Sequence, residues 1–296
     1  MAITLLETSF TAAVLAVPAL ALGLHAPSGQ GHSVPVAETV EIAQQVLDFP
    51  VPGEFLASGR PAPAPSIRKD VPAFHIMRHQ VGLADYQRCV TAGACAAADA
   101  RSTQDDVPVT GVNWLDAQAY ARWYSEATGQ SWRLPTALEA AAAAGERFGG
   151  ESVSAAADDP DNPAVRWIRR YREEAAAKRP ADPEPKPRGH YGPNSSGIED
   201  FGGNVWEWTS TCYSRVTLDA GGAAESVVEN CGVHVLEGRH RAYMSNFVRD
   251  GKSGGCAVGT PPENLGFRLV RDDESTPAIA ALKSKLRSMF EVLRQA

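Results

Sequence analysis

The stretch Gly203-Asn204-Val205-Trp206-Glu207-Trp208 decides the reading of this chain, together with Asn264-Leu265-Gly266-Phe267-Arg268 about sixty residues later. Two tryptophans on either side of a carboxylate are demanding. Each indole requires a large buried slot and an acceptor for its ring N–H. The glutamate between them must be exposed, hydrogen-bonded or bound to a cation, because an unpaired buried charge is too costly.

Patterning upstream supplies a frame for this stretch. Residues 74–79, Phe-His-Ile-Met-Arg-His, read as a strand. Leu83, Tyr86 and Val90 recur at helical spacing over 83–91. Asn113 caps a second helix with Asp116 in its first turn, and Ala117, Tyr120, Ala121 and Tyr124 form its packing stripe. Arg133-Leu134-Pro135-Thr136 ends an extended piece, and Thr136 with Glu139 caps the alanine-rich helix 137–144. A hairpin is expected near 220–224 and a closing strand over 265–270.

The flanks differ in composition. Residues 10–24 are apolar or small and uncharged, with small residues around 19–26, so 1–26 reads as an export signal; no Lys or Arg precedes the run, and an uncleaved anchor or a buried helix is the alternative. Residues 27–65 are rich in Pro, Ala and Gly and read as a tether with a short helix over 37–47. The globular domain is expected over 66–273, with a surface excursion at 149–189 that carries a basic helix at 164–178. Ile279, Leu282, Leu286, Phe290 and Leu293 predict an amphipathic helix within 274–296.

The net charge of −7 and the absence of a dominant basic patch argue against nucleic acid as a partner. With 26 Gly and 21 Pro, turns and irregular loops are expected, and no internal repeat is visible. Five cysteines fit an oxidising compartment: Cys89 with Cys95, Cys212 with Cys231, and Cys256 left over. The competing reading is five buried thiols in a reducing one. The spacings do not match paired C-x-x-C knuckles, so structural zinc is not expected.

Five segments, in order, resemble the formylglycine-generating enzyme (sulfatase-modifying factor) superfamily. They are 81–86, the Pro108–Ala117 stretch continuing through Trp123, the Arg133–Glu139 stretch, 193–208, and 264–268. Gly82-Leu83-Ala84-Asp85 departs from the family's opening motif. The resemblance spans about 74–271 and implies an α+β fold, the irregular C-type-lectin-like fold of that family, with little regular secondary structure.

The family's known chemistry does not carry over residue by residue. Its catalytic members hold copper(I) on a cysteine pair that follows an R-G-G-S-W motif. Here 235–246 contains neither the motif nor a cysteine, and Cys256 comes later. One thiolate does not hold two-coordinate copper(I), so copper is not expected and neither is formylglycine synthesis. A second branch uses iron on three histidines. The seven histidines here (His25, His32, His75, His79, His190, His234 and His240) do not form that motif, although His75 and His79 share one face of the expected strand. The family's structural calcium maps to Asn204 and Glu207, with loop hydrogen bonding as the alternative role for both.

Within the superfamily, 229–233, 238–243, 247–250 and 254–256 resemble the NirV-type accessory proteins found with copper nitrite reductases in denitrifying bacteria. That resemblance implies a periplasmic or secreted protein without a stable membrane span after processing. Two functions remain open. A binding or maturation factor would place Arg239, Arg241 and Arg249, beside His240, around a cleft for an acidic peptide or carboxylate; structural ion pairs are the plainer role for these arginines. A metal-dependent oxidative tailoring enzyme would draw on Cys256, His240 and Tyr243. A lectin-like interaction protein is a third, with no sugar site to recommend it.

Overall fold

The computed structural model describes residues 34–149, 184–251, 255–257 and 264–272. The expectations for 1–26, 164–178 and 274–296 fall outside the described residues. The architecture is α+β, as the resemblance implied.

Three antiparallel or mixed sheets carry the fold. The first joins β1 (Thr39–Ile42), β6 (Phe74–Met77), β13 (Val270–Asp272) and β7 (Ser131–Arg133), all antiparallel, in that order. The second runs β11 (Gly255–Ala257), β10 (Ala242–Ser245), β9 (Ala224–Glu237), β8 (Trp206–Leu218), β3 (Glu54–Ala57), β4 (Arg60–Ala62). There β12 (Leu265–Gly266) and β3 both pair parallel with β8. The third is the ribbon of β2 (Gln45–Pro50) and β5 (Ser66–Val71).

The helices form where their caps were legible. α2 (Trp114–Thr128) opens on a complete capping box between Asn113 and Asp116 and stops at Gly129, whose φ of 70° is the left-handed conformation glycine adopts without strain. α3 (Ala137–Ala144) opens on the reciprocal pair Thr136 and Glu139. Glu139 is also gripped by Arg133 through two hydrogen bonds of 2.7 and 2.6 Å. α1 (Leu83–Thr91) lacks a side-chain cap and is held instead by burial of Tyr86 and Cys89. The stripe Ala117, Tyr120, Ala121 and Tyr124 is buried, and Tyr120 packs its ring on Tyr86, Tyr124 and Phe267 at 5.4–5.8 Å.

Three expectations need correction. Residues 37–47 form strands β1 and β2 and no helix. Their β-branched residues, Thr39, Val40 and Ile42, find an edge to pair with along Phe74–Met77, which local spacing cannot reveal. The folded unit therefore begins well before residue 66, within the segment read as a tether. The closing strand is split: Phe267, Arg268 and Leu269 separate β12 from β13 and run beside 77–81, with Leu269 and Phe267 carbonyls accepting from Met77 and Val81 at 2.9 Å. Among the described residues no helix is long and apolar enough to cross a membrane.

Both expected disulfides are present, Cys89–Cys95 and Cys212–Cys231. The first closes the turn after α1 and the second ties β8 to β9. Loops of this size restrict the unfolded chain by roughly 2–3 kcal/mol each. Non-reducing peptide mapping is expected to recover these two bridges and an alkylatable Cys256. Any peptide linking Cys256 to one of the four would overturn the pairing.

Candidate functional site

The tryptophan stretch is the keystone of the interior. Trp206 and Trp208 are buried, and their indoles donate to the carbonyls of His240 and Val112, both at 2.9 Å. Glu207 between them is also buried and meets Arg268, which is fully buried. The guanidinium grips the carboxylate at 2.5 and 2.7 Å and spends its other donors on the carbonyls of Met77, Arg78 and Glu199. Gln80 adds a hydrogen bond of 2.8 Å to Glu207. Close approach between the two signature stretches requires Gly266: a Cβ there would lie 2.9 Å from Val205 Cγ2 and equally close to the Val109 carbonyl.

This geometry bears on the inherited calcium site. The carboxylate of Glu207 is neutralised by a guanidinium and shared with Gln80. Asn204, at φ 57°, spends its amide on the backbone of Lys186 in both directions, at 2.6 and 3.0 Å. A hard cation needs uncommitted oxygens, and a carboxylate already bound to an internal cation does not fit that requirement.

The other predicted residues do not converge on one cleft. Arg241 is buried, donates to Glu237 at 2.8 Å and to the Pro50 carbonyl at 2.7 Å, and packs its guanidinium over the rings of both Phe49 and Phe148. Arg249 forms an ion pair with Asp116 at 2.9 Å and bonds the Ala97 carbonyl at 3.0 Å. Arg239 is exposed over the Trp206 ring. Of the three, Arg249 lines a cleft of about 240 Å³ shared with Asp99, Arg101, Gly111, Asp250 and Asn264. His240 turns its ring edge to Trp206, whereas the Tyr243 hydroxyl accepts from the Gly53 amide at 2.8 Å and its ring meets Tyr213. Cys256 lies on β11, in register with Tyr243. His79 lies two residues past the end of β6, so it does not share that strand with His75.

A larger cleft was missed in the sequence. It encloses about 510 Å³ between α1, α2 and the 77–81 segment, and Tyr120, His79 and Gln80 contribute to its wall. Among the described residues the buried His79 Nδ1 and Gln80 Oε1 have no hydrogen-bond partner. Burial, then the nearby Asp85 carboxylate, pushes the Tyr120 phenol far up, so it stays a donor. Burial, then Arg188, lowers the His79 imidazole, which favours its neutral form. Arg88 and Arg188 share Asp85 at 2.9 and 3.3 Å, and Arg188 also meets Asp106 at 3.0 Å. The wall thus presents both charge signs beside neutral donors and acceptors. Tyr120 reads in the sequence as core, and it is core; its hydroxyl end is what the pattern does not show.

A keystone of two tryptophans and a buried glutamate–arginine pair, set between short sheets and capped helices, defines a sulfatase-modifying-factor type of domain. The sulfatase-modifying factor enzyme 1-like domain family matches residues 36–273, and the chain belongs to it. It is 30% identical over 188 residues to the formylglycine-generating enzyme of Streptomyces coelicolor, covering 59% of this chain and 55% of that protein. The chain therefore matches little more than half the length of that relative. Among solved structures it resembles PvdO from Pseudomonas aeruginosa, with a TM-score of 0.50, 18% identity, and coverage of 80% of this chain and 95% of the other. That likeness supports the fold alone.

Proposed function

We propose that this chain is an exported binding or maturation factor of its family, which holds a peptide-like ligand and does not make formylglycine. The observation that carries the reading is the fate of 235–246. That stretch has no cysteine, and its Arg241, Tyr243 and Met244 side chains are committed to the interior. The ligand site is the Tyr120 cleft. Its mixed charges and unpaired neutral groups suit the alternating donors and acceptors of a peptide better than a lone carboxylate. The resemblance of 229–233 and 238–243 to NirV-type proteins supports copper nitrite reductase as the partner. The oxidative-tailoring reading is less favoured, because His240 and Tyr243 face different parts of the interior.

Copper-loaded protein incubated with a sulfatase-motif peptide, oxygen and a reductant is expected to yield no aldehyde. Catalytic formation of aldehyde, abolished in Cys256→Ser, would refute this reading. The binding side is tested by titrating purified copper nitrite reductase into the wild type and into Tyr120→Phe. Tyr120→Phe keeps the buried ring, so it is expected to fold and to weaken binding by about tenfold. Equal affinity in the two proteins moves the contact away from this cleft.

A further inference from the structure

The two disulfides of this chain sit in opposite surroundings. Cys89 and Cys95 are 0% and 9% exposed and belong to the main core, which shields their bond from any outside thiol. Cys212 and Cys231 join β8 to β9 where the ladder slips out of register. Cys231 is exposed and Cys212 is half-buried, so a thiol on another molecule can reach the Cys231 sulfur.

The sheltered sulfur has a base beside it. His234 faces Cys212 across the ladder, with Nε2 at 3.7 Å from Cys212 Sγ. Asn246 donates from Nδ2 to the Cys231 carbonyl at 2.8 Å, which leaves its Oδ1 for His234 Nδ1 at 2.6 Å. Nδ1 therefore carries a proton, and the Nε2 lone pair faces the sulfur. Trp114 stacks on the imidazole at 4.1 Å between centroids and is itself fixed by its N–H on the Thr209 carbonyl at 3.0 Å. His234 is 2% exposed, and burial lowers its affinity for a second proton, so the ring is neutral beside the intact disulfide. The base becomes useful when the S–S bond opens and Cys212 departs as a thiolate. Nε2 then takes a proton, and an imidazolium–thiolate pair stabilises the reduced state. Glu229 is the charged group on the open side: its carboxylate lies 3.1 Å from Cys231 Sγ and favours the imidazolium. A carboxylate at the sulfur under attack repels an anionic thiol compound and favours a cysteine in a basic segment.

We infer that the Cys212–Cys231 disulfide is an oxidant for pairs of cysteine thiols in basic polypeptide segments, with His234 stabilising the Cys212 leaving group. One substrate thiol loses its proton and attacks Cys231 Sγ. A mixed disulfide forms, the S–S bond breaks, and its electron pair leaves on Cys212 while His234 Nε2 takes up a proton. The second substrate thiol loses its proton, attacks the substrate sulfur of the mixed disulfide and frees Cys231, which is protonated. The substrate gives up two electrons and two protons and becomes a disulfide. The chain then holds both protons, one on Cys231 and one on His234. A single round needs no other oxidant.

The test mixes the oxidised full chain with a reduced two-cysteine peptide rich in lysine, and separately with its glutamate-rich counterpart. Acid quenching, alkylation and peptide mapping follow both partners. The lysine peptide is expected to become oxidised as Cys212 and Cys231 become alkylatable, with Cys89–Cys95 intact, and to react about tenfold faster than the acidic one. Glu229→Gln, at an exposed position, should bring the two rates together. The reduced wild type should show thiolate absorption in the ultraviolet at neutral pH, lost in His234→Gln. That variant should also shift the equilibrium with the peptide about tenfold toward the protein disulfide; recovery of both disulfides by mapping checks its fold. Three results would overturn the proposal: no reduction of Cys212–Cys231 by the lysine peptide, reduction of Cys89–Cys95 alongside it, or an equilibrium and thiolate absorption unchanged in His234→Gln. Equal wild-type rates for the two peptides would overturn the assigned substrate charge.

Discussion

Replacing Arg268 by alanine is expected to destabilise the domain by about 3–5 kcal/mol. The substitution strands the Glu207 carboxylate, which is 2% exposed and keeps only Gln80 as a side-chain partner. It also strips donors from the carbonyls of Met77, Arg78 and Glu199, which the guanidinium ties together across three segments distant in sequence. Glu207→Ala is expected to cost a similar amount by leaving a guanidinium in the same interior. The pair Arg268→Met with Glu207→Leu removes both charges together and should recover most of the loss, because a buried ion pair gives little net stability over apolar groups of like shape. Urea unfolding of the two single variants and the double measures the coupling. Single variants within about 1 kcal/mol of wild type would mean that water reaches the pair, contrary to the burial seen here.

The sequence exposed the elements whose causes are local. Asn113 with Asp116 and Thr136 with Glu139 are reciprocal caps built within four residues, so the starts of both helices were legible to the residue. The cysteine pairs were legible because each closes a short loop. The strands over 39–50 were not, because a run containing Val40, Ile42, Val46 and Leu47 fits either period until its partner strands are known. The candidate sites were less legible for the same reason. Arg239, Arg241 and Arg249 cluster in sequence, but β10 and the bends around it send them to solvent, to the interior and to Asp116. Conversely, His234 stands more than twenty residues from Cys212, and the register slips between β8 and β9 place its ring against that sulfur.

Trp208→Ala is expected to be a folding variant, with a loss of about 3–5 kcal/mol. The side chain is fully buried in the main core beside Leu236 and Leu265, and its N–H holds the Val112 carbonyl just ahead of the α2 cap. The cavity would open where the two signature stretches, α2 and β9 meet, and backbone on all sides limits collapse. Trp208→Phe separates the contributions: it keeps most of the apolar contact but orphans a buried carbonyl, at about 1–3 kcal/mol. Trp206→Ala should also destabilise, since Gly238 packs directly on the indole, where a Cβ would come within 2.7 Å. For a domain of this size, losses of 3–5 kcal/mol correspond to a fall in Tm of roughly 6–20 °C, measurable by near-ultraviolet circular dichroism. If both alanine variants melt with the wild type, the tryptophans are surface groups and a ligand-stacking role replaces the structural one. The ordering Trp208→Ala, then Trp208→Phe, then wild type is the sharper test, because exposed indoles would give no graded response to volume and hydrogen bonding.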